Sequence, residues 1–162
     1  MIVQDAAGRR SLLERSTTIA VVGASPNPLR PSYTVFSYLR TQTDFDVSPI
    51  NPNASDIDGI KTYPTIAAYA QARGAPDIVD VFRKPSDLMP IVHDALAVGA
   101  KALWLQYGVI DADAIAFADR SGLAVVVDRC IKVEHARFHG GLSTNGFFSG
   151  TITSKRAALR RK

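Results

Sequence analysis

Residues Ile19-Ala20-Val21-Val22 form an unbroken apolar run that stops at Gly23 and gives way to a helical period, and this feature restricts the fold most. A short run that is apolar at successive positions suits a strand buried on both faces, as in a parallel sheet covered by helices. The pattern recurs along the chain. Strands are expected near 18–23, 46–50, 78–82, 101–106 and 123–128, with helices near 33–42, 65–73, 87–98 and 111–121. In the third helix Leu88, Ile91, Val92 and Ala95 stand at i, i+3, i+4 and i+7, one stripe able to cover a sheet face. Ser86 and Asp111 stand where N-caps are wanted, and Gly74, Gly99 and Gly122 where helix C-termini need a left-handed residue.

Strands that alternate with helices pair in parallel through right-handed crossovers. The expectation is an α/β, Rossmann-like doubly wound sheet of five parallel strands, order 3-2-1-4-5, with helices on both faces. In that order the crevice opens at the carboxyl ends of strands one and four. The residues delivered to that edge are Gly23-Ala24-Ser25, Asn51-Pro52, Phe82-Arg83-Lys84, Gln106-Tyr107-Gly108 and Asp128-Arg129-Cys130.

A chain of 162 residues, 46% hydrophobic and 21% charged, fits one domain with a core large enough to fold without staples. The repeated units fill 1–138. Residues 139–162 form a Gly/Ser/Thr-rich arm, whose Phe147, Phe148 and Ile152 suit docking on the domain or on a second copy, and a basic tail. The single Cys130 rules out an internal disulfide and suits a reducing compartment. No window approaches the roughly 18 apolar residues of a membrane span, and the start lacks a signal-peptide pattern, so a cytoplasmic protein is expected. The formal charge of +4 is concentrated in Lys155, Arg156, Arg160, Arg161 and Lys162; without those five, 14 basic residues face 15 acidic ones. A near-neutral body disfavours nucleic acid as a partner.

A glycine turn between a strand and a helix is a phosphate-binding arrangement, because helix N-terminal amides and the local dipole favour an anion. An acid closing the second strand would read the ribose diol of NAD, and Asn51 stands there instead. The glycine spacing also departs from the three-glycine fingerprint, since Pro26 and Pro28 follow Gly23.

Taken together, Val22-Gly23-Ala24-Ser25-Pro26-Asn27-Pro28 with Arg30-Pro31-Ser32, Pro49-Ile50-Asn51-Pro52, Val79-Asp80-Val81-Phe82-Arg83-Lys84-Pro85, Gly99 to Gln106 and Asp128 to Arg137 resemble the small stand-alone bacterial CoA-binding domain proteins. These are relatives of the nucleotide-binding domain of the succinyl-CoA synthetase α subunit. The resemblance spans about residues 18–138 and implies a Rossmann-like fold that holds coenzyme A. It does not imply catalysis, because the synthetase's phosphohistidine segment and partner subunit have no counterpart. It also implies that the loop Gln106-Tyr107-Gly108 lines the site.

The residue types agree with CoA, whose 3′-phosphate asks for extra positive charge and no diol-reading acid. Arg30, Lys61, Arg83 and Lys84 supply charge for strong bonds to phosphate. Gly23, Ala24 and Ser25 offer a close backbone approach, amides and a hydroxyl; Arg30 is the leading diphosphate partner; Asn51 and Pro52 either meet the ribose or adenine or form a plain turn. Val81 and Phe82 lead to the adenine side, where Phe82 either packs on the base or belongs to the core. Cys130 is either an inert, small apolar residue or, beside Arg129, Lys132 and His135, a thiol of lowered pKa able to form a mixed disulfide with CoA. One Cys and one His with Glu134 make a poor metal set, and no triad surrounds His93 or His139. The reading is therefore a binding module for CoA or an acyl-CoA rather than an enzyme, alone, as a homo-oligomer or serving a partner enzyme. The alternative is a nucleotide-dependent enzyme, either an NAD(P) oxidoreductase or an acyl-CoA-transforming subunit that needs a mate.

Overall fold

The five apolar runs are strands. A computed structural model describes residues 1–140 and gives, in chain order, α1 (Ala6–Glu14), β1 (Thr18–Val22), α2 (Pro31–Gln42), β2 (Asp46–Ile50), β3 (Asp56–Ile57), β4 (Ile60–Lys61), α3 (Ile66–Arg73), β5 (Ile78–Val81), α4 (Leu88–Ala97), β6 (Ala102–Leu105), α5 (Ala112–Arg120), β7 (Ala124–Val126) and α6 (Ile131–His139). The arm and basic tail, with Phe147, Phe148 and Ile152, lie outside the described residues.

The doubly wound parallel sheet is present, in the order β2-β1-β5-β6-β7. Counting its five strands in sequence, this is 2-1-3-4-5, not the expected 3-2-1-4-5: the third strand lies beside the first, pairing Val21 with Asp80 and Val22 with Val81. The reason lies in β2. The Pro49 carbonyl accepts the Tyr63 amide, and the Asn51 amide donates to Tyr63, so the outer side of β2 is taken by the segment entering α3. Pro49 has no N–H to offer on that side, and a proline belongs on an edge strand. The switch point moves accordingly, from strands one and four to β1 and β5.

Strand side chains alternate between two layers. Ile19 and Val21 pack with Leu13 of α1, Phe36 of α2 and Ile131 of α6, around the fully buried Trp104. Ala20 and Val22 pack on the other face with Tyr69 of α3, Val92 of α4 and Ala118 of α5. Helix ends follow local chemistry. Asp111 caps α5 by accepting the Ala114 amide at 2.8 Å, and Gly74, Gly99 and Gly122 have φ of +86°, +77° and +90°. Ser86 does not cap α4, because Pro85–Asp87 form a 3₁₀ turn that puts Asp87 at the N-cap position.

Two helices and a hairpin were not expected. The Asp58-Gly59 pair, both at positive φ, turns β3 into β4, and Asp58 accepts the Tyr33 hydroxyl at 2.7 Å, tying the hairpin to α2. Helices α1 and α6 are joined by a buried ion pair, Arg9 Nε to Glu134 Oε2 at 2.8 Å, with side chains 5% and 2% exposed; Arg137 reaches the other Glu134 oxygen at 3.2 Å. Removing one partner of a buried pair leaves the other charge stranded. Glu134→Gln is expected to lower urea-unfolding stability by about 3–5 kcal/mol; a loss below about 1 kcal/mol would show that the pair is dispensable.

Candidate functional site

At the end of β1 the chain turns at Gly23, with φ +83°. Its amide donates to Ile50 of β2 at 3.0 Å, while the Phe82 amide beyond β5 donates to Val22 at 2.9 Å. A Cβ on Gly23 would lie 2.3 Å from the Phe82 carbonyl oxygen, so the glycine is required first by the chain's own backbone. The loop that follows is shaped from within. Asn51 donates to the Ala24 carbonyl and accepts the Asn53 amide, both at 2.8 Å. Ser25 accepts the Asn27 amide at 3.1 Å, and Asn27 accepts the Leu29 amide at 3.0 Å. Ala24 is buried, Pro52 is exposed, and the Ser25 hydroxyl retains its proton for donation.

This arch ends at α2, which opens with Arg30 at the N-cap and Pro31 at the first helical position. Arg30 makes no capping bond and is exposed, so its guanidinium stands at the positive end of the helix. The Arg83 side chain crosses Gly23 at the level of its Cδ and pairs with Asp87 at 3.0 Å; Lys84 is exposed. Because β5 neighbours β1, the Gly23 loop and the Phe82-Arg83-Lys84 segment adjoin, which the expected strand order would have prevented. Phe82 packs partly against the core. Lys61, on β4 beyond β2, holds its ammonium 5.3 Å over the Tyr63 ring.

Not every expected side chain reaches the edge. Val81 is fully buried in the core, and Gln106 is 4% exposed with its amide donating to Asp80 Oδ1 at 2.6 Å. Gly108, at φ +77°, donates to Asp128 Oδ1 at 2.9 Å, and Asp128 itself adopts φ +56°. Two exposed apolar side chains, Tyr107 and Ile110, follow β6, and Leu29 projects from the arch with 90% of its surface exposed.

Asp80 was not singled out by sequence reading, although an acid inside Ile78-Val79-Asp80-Val81 breaks an otherwise apolar run. It is fully buried, and Oδ2 has no hydrogen-bond partner. Burial pushes its carboxyl up to about 7, against the opposing bonds from Gln106 and the Val81 amide. Cys130 stands at the N-cap position of α6, partly buried, without a capping bond. Burial raises its pKa; the Val133 and Lys132 amides pull the other way, and the Asp80 charge adds to the rise. The expectation of a thiol activated by basic neighbours is thus corrected: desolvation outweighs them. His135 is pushed down to about 4 by burial, with Nδ1 3.0 Å from the Tyr38 hydroxyl, and Glu134 is committed to Arg9. Among the described residues no three His, Cys, Asp or Glu side chains group as a metal site.

The CoA binding domain model matches residues 17–136. The chain belongs to the CoA-binding domain family. It is 32% identical over 127 residues to the uncharacterized protein YneT of Bacillus subtilis, covering 78% of this chain and 91% of that one. Among solved structures, a hypothetical protein from Pyrococcus horikoshii is 36% identical with a TM-score of 0.79, covering 85% of this chain and 94% of that one. A Thermus thermophilus protein is 34% identical with a TM-score of 0.75, covering 83% and 98%. A UDP-N-acetylglucosamine 3-dehydrogenase from Acidithiobacillus ferrooxidans and an NADPH-dependent oxidoreductase, so described, from Desulfitobacterium hafniense share the fold at 12% and 10% identity. The family thus supports a CoA-binding role on a Rossmann-like fold, and among the described residues no helix is long and apolar enough to cross a membrane.

The raised Asp80 pKa carries a sign that can be checked. Between the ordinary 3.8 and about 7 the folded chain holds a proton that the unfolded chain has lost, so the carboxyl costs stability increasingly as pH rises through that window, and constantly above it. Asp80→Asn should match the native protein near the lower limit and exceed it at neutral pH by roughly 2–4 kcal/mol in urea unfolding. A gap independent of pH would contradict the assignment.

Proposed function

We propose that this protein binds coenzyme A, or an acyl-CoA, in the crevice between β1 and β5, with the diphosphate against the Gly23–Arg30 arch and the start of α2. One observation carries the reading: the arch, the unshielded N-terminus of α2 and the Arg83-Lys84 segment adjoin at the switch point of a chain in the CoA-binding domain family. Helix amides and the helix dipole favour an anion there, and Arg30 adds a charge-assisted donor.

The other roles follow from position. Ser25 supplies a hydroxyl and Ala24 its backbone. Asn51 serves by holding the Ala24 carbonyl, which fixes the arch without putting a negative charge beside phosphate. Phe82 offers a ring edge to adenine. Arg83 and Lys84 address the 3′-phosphate, for which Arg83 must share its guanidinium with Asp87. Val81 and Gln106 shape the floor from beneath, and Gly108 supplies the turn that presents Tyr107.

Thermal shifts with CoA, acetyl-CoA, dephospho-CoA, NAD and NADP at equal concentration test this. CoA and acetyl-CoA should stabilise most, with dephospho-CoA weaker; equal shifts for CoA and dephospho-CoA would strip Arg83 and Lys84 of their assignment, and a larger shift with NAD would overturn the reading. Arg30→Ala, which removes no cap bond, should weaken CoA binding by about 1.5–3 kcal/mol, the range for hydrogen bonds to charged groups.

A further inference from the structure

A second group of polar side chains lies at the amino edge of the sheet, opposite the edge assigned to the coenzyme. Helix α2 starts after the end of β1 and α6 after the end of β7, and both run back to the amino edge, where α2 ends at Gln42 and α6 at His139. A cavity of about 420 Å³ lies there, lined by Thr41, Gln42, Thr43, Asp44, His135 and His139.

Three observations give this cavity the character of a cation site. Two helix C-termini meet at it, and each brings the negative end of its dipole. The hydroxyl protons at the end of α2 are spent on the chain itself: Thr41 donates to the Ser37 carbonyl at 2.7 Å and Thr43 to the Leu39 carbonyl, so neither threonine has an O–H left to offer. Asp44 lines the same cavity, and its charge acts on His135.

The imidazoles decide which cation. His135 and His139 stand at i and i+4 on α6, with ring centroids 4.4 Å apart and ring planes 19° from parallel. His139 Nδ1 lies 3.1 Å from the His135 carbonyl oxygen, which only accepts, so Nδ1 carries the proton and Nε2 keeps the lone pair in the neutral ring. His135 Nδ1 lies 3.0 Å from the Tyr38 hydroxyl, and edge contacts with Tyr38 and Phe45 hold its ring. Engagement of one ring nitrogen by the protein is what orients a metal-bound histidine and leaves the other nitrogen to the metal. Burial also keeps His135 uncharged at neutral pH, so no proton has to leave it.

We propose that His135 and His139 chelate one divalent cation of the Zn²⁺, Ni²⁺ or Cu²⁺ kind through their Nε2 atoms. Imidazole suits these cations, whereas Mg²⁺ and Ca²⁺ take oxygen ligands. Among the described residues no third His, Cys, Asp or Glu groups with the pair, so water fills the remaining positions and Asp44 contributes through its charge. The chelate closes the last turn of α6, and it stands independently of the CoA reading.

Calorimetric titration of the full chain, prepared without an affinity tag, with NiCl₂, ZnCl₂ and MgCl₂ tests this. One Ni²⁺ or one Zn²⁺ should bind per chain and raise the melting temperature, reversibly by EDTA, and Mg²⁺ should do neither. The chain has three histidines, so His93 on α4 is the internal control. His93→Gln should leave the Ni²⁺ affinity unchanged. His139→Gln should weaken it at least about tenfold, and Tyr38→Phe, which keeps the ring beside His135 and removes the hydroxyl, should weaken it by about tenfold, the lower end for loss of an outer hydrogen bond to a metal ligand. In the native chain, where no variant has to fold, Ni²⁺ should broaden or shift the imidazole proton signals of His135 and His139 and leave those of His93 unmoved. Absence of Ni²⁺ binding, or full affinity in His139→Gln, would overturn the proposal. Affinity lost in Cys130→Ser and kept in His139→Gln would put the metal on the thiol and overturn it equally.

Discussion

Two backbones meet without a side chain between them where Gly23 faces the Phe82 carbonyl, and the geometry of the carboxyl edge follows from that contact. It requires β5 beside β1, and β2 on the other side of β1. The chain therefore leaves β1 through α2 on one face and returns to β5 through α3 on the other, the crossing at which doubly wound sheets in general hold their ligands. The arch from Ser25 to Arg30, the start of α2 and the Arg83 stem are all positioned by this junction. A methyl group at Gly23 would force the two loops apart.

The two edges of the sheet treat buried acids in opposite ways. At the amino edge, Asp77 accepts from the amides of Thr17 and Thr18 and pairs with Lys101 at 2.6 Å. Burial alone would raise its pKa, yet Lys101 and those amides hold it well below the ordinary carboxylate range. Asp80, three residues further along the chain, has Gln106 on one oxygen and nothing on the other, and burial dominates. Both Asp77 oxygens are satisfied, while one Asp80 oxygen is left without a donor, so the two acids differ in bonding rather than in burial.

Much of this was legible in the chain. The five strands and four of the helices could be read because each is a short apolar run or a period near 3.6 with a cap or a glycine at its end, as Asp111 and Gly122 show. Strand order was not legible from apolar runs, which say that a strand is buried and nothing about its neighbour; Pro49 was the available signal that β2 is an edge. Helices α1 and α6 escaped because their inward faces carry Arg9 and Glu134, charges that break an apolar stripe yet neutralise each other once paired. At the carboxyl edge of the sheet, the strand ends and their residue types were legible. Sequence alone could not tell a side chain that faces a ligand from one that braces the loop: Asn51 and Gln106 both spend their amides on the protein, and only the fold reveals it. Cys130 was read with its basic neighbours because sequence shows charge and hides burial.

The central claim is that a phosphorylated cofactor sits at the β1–β5 junction, and amide chemical-shift mapping during titration with CoA tests it most directly. The account requires the largest shifts in the amides of residues 23–34 and 82–84, with α1 and the Asp77 edge unmoved. Saturable shifts confined to another face, with the Gly23 and Arg83 amides unaffected, would contradict it.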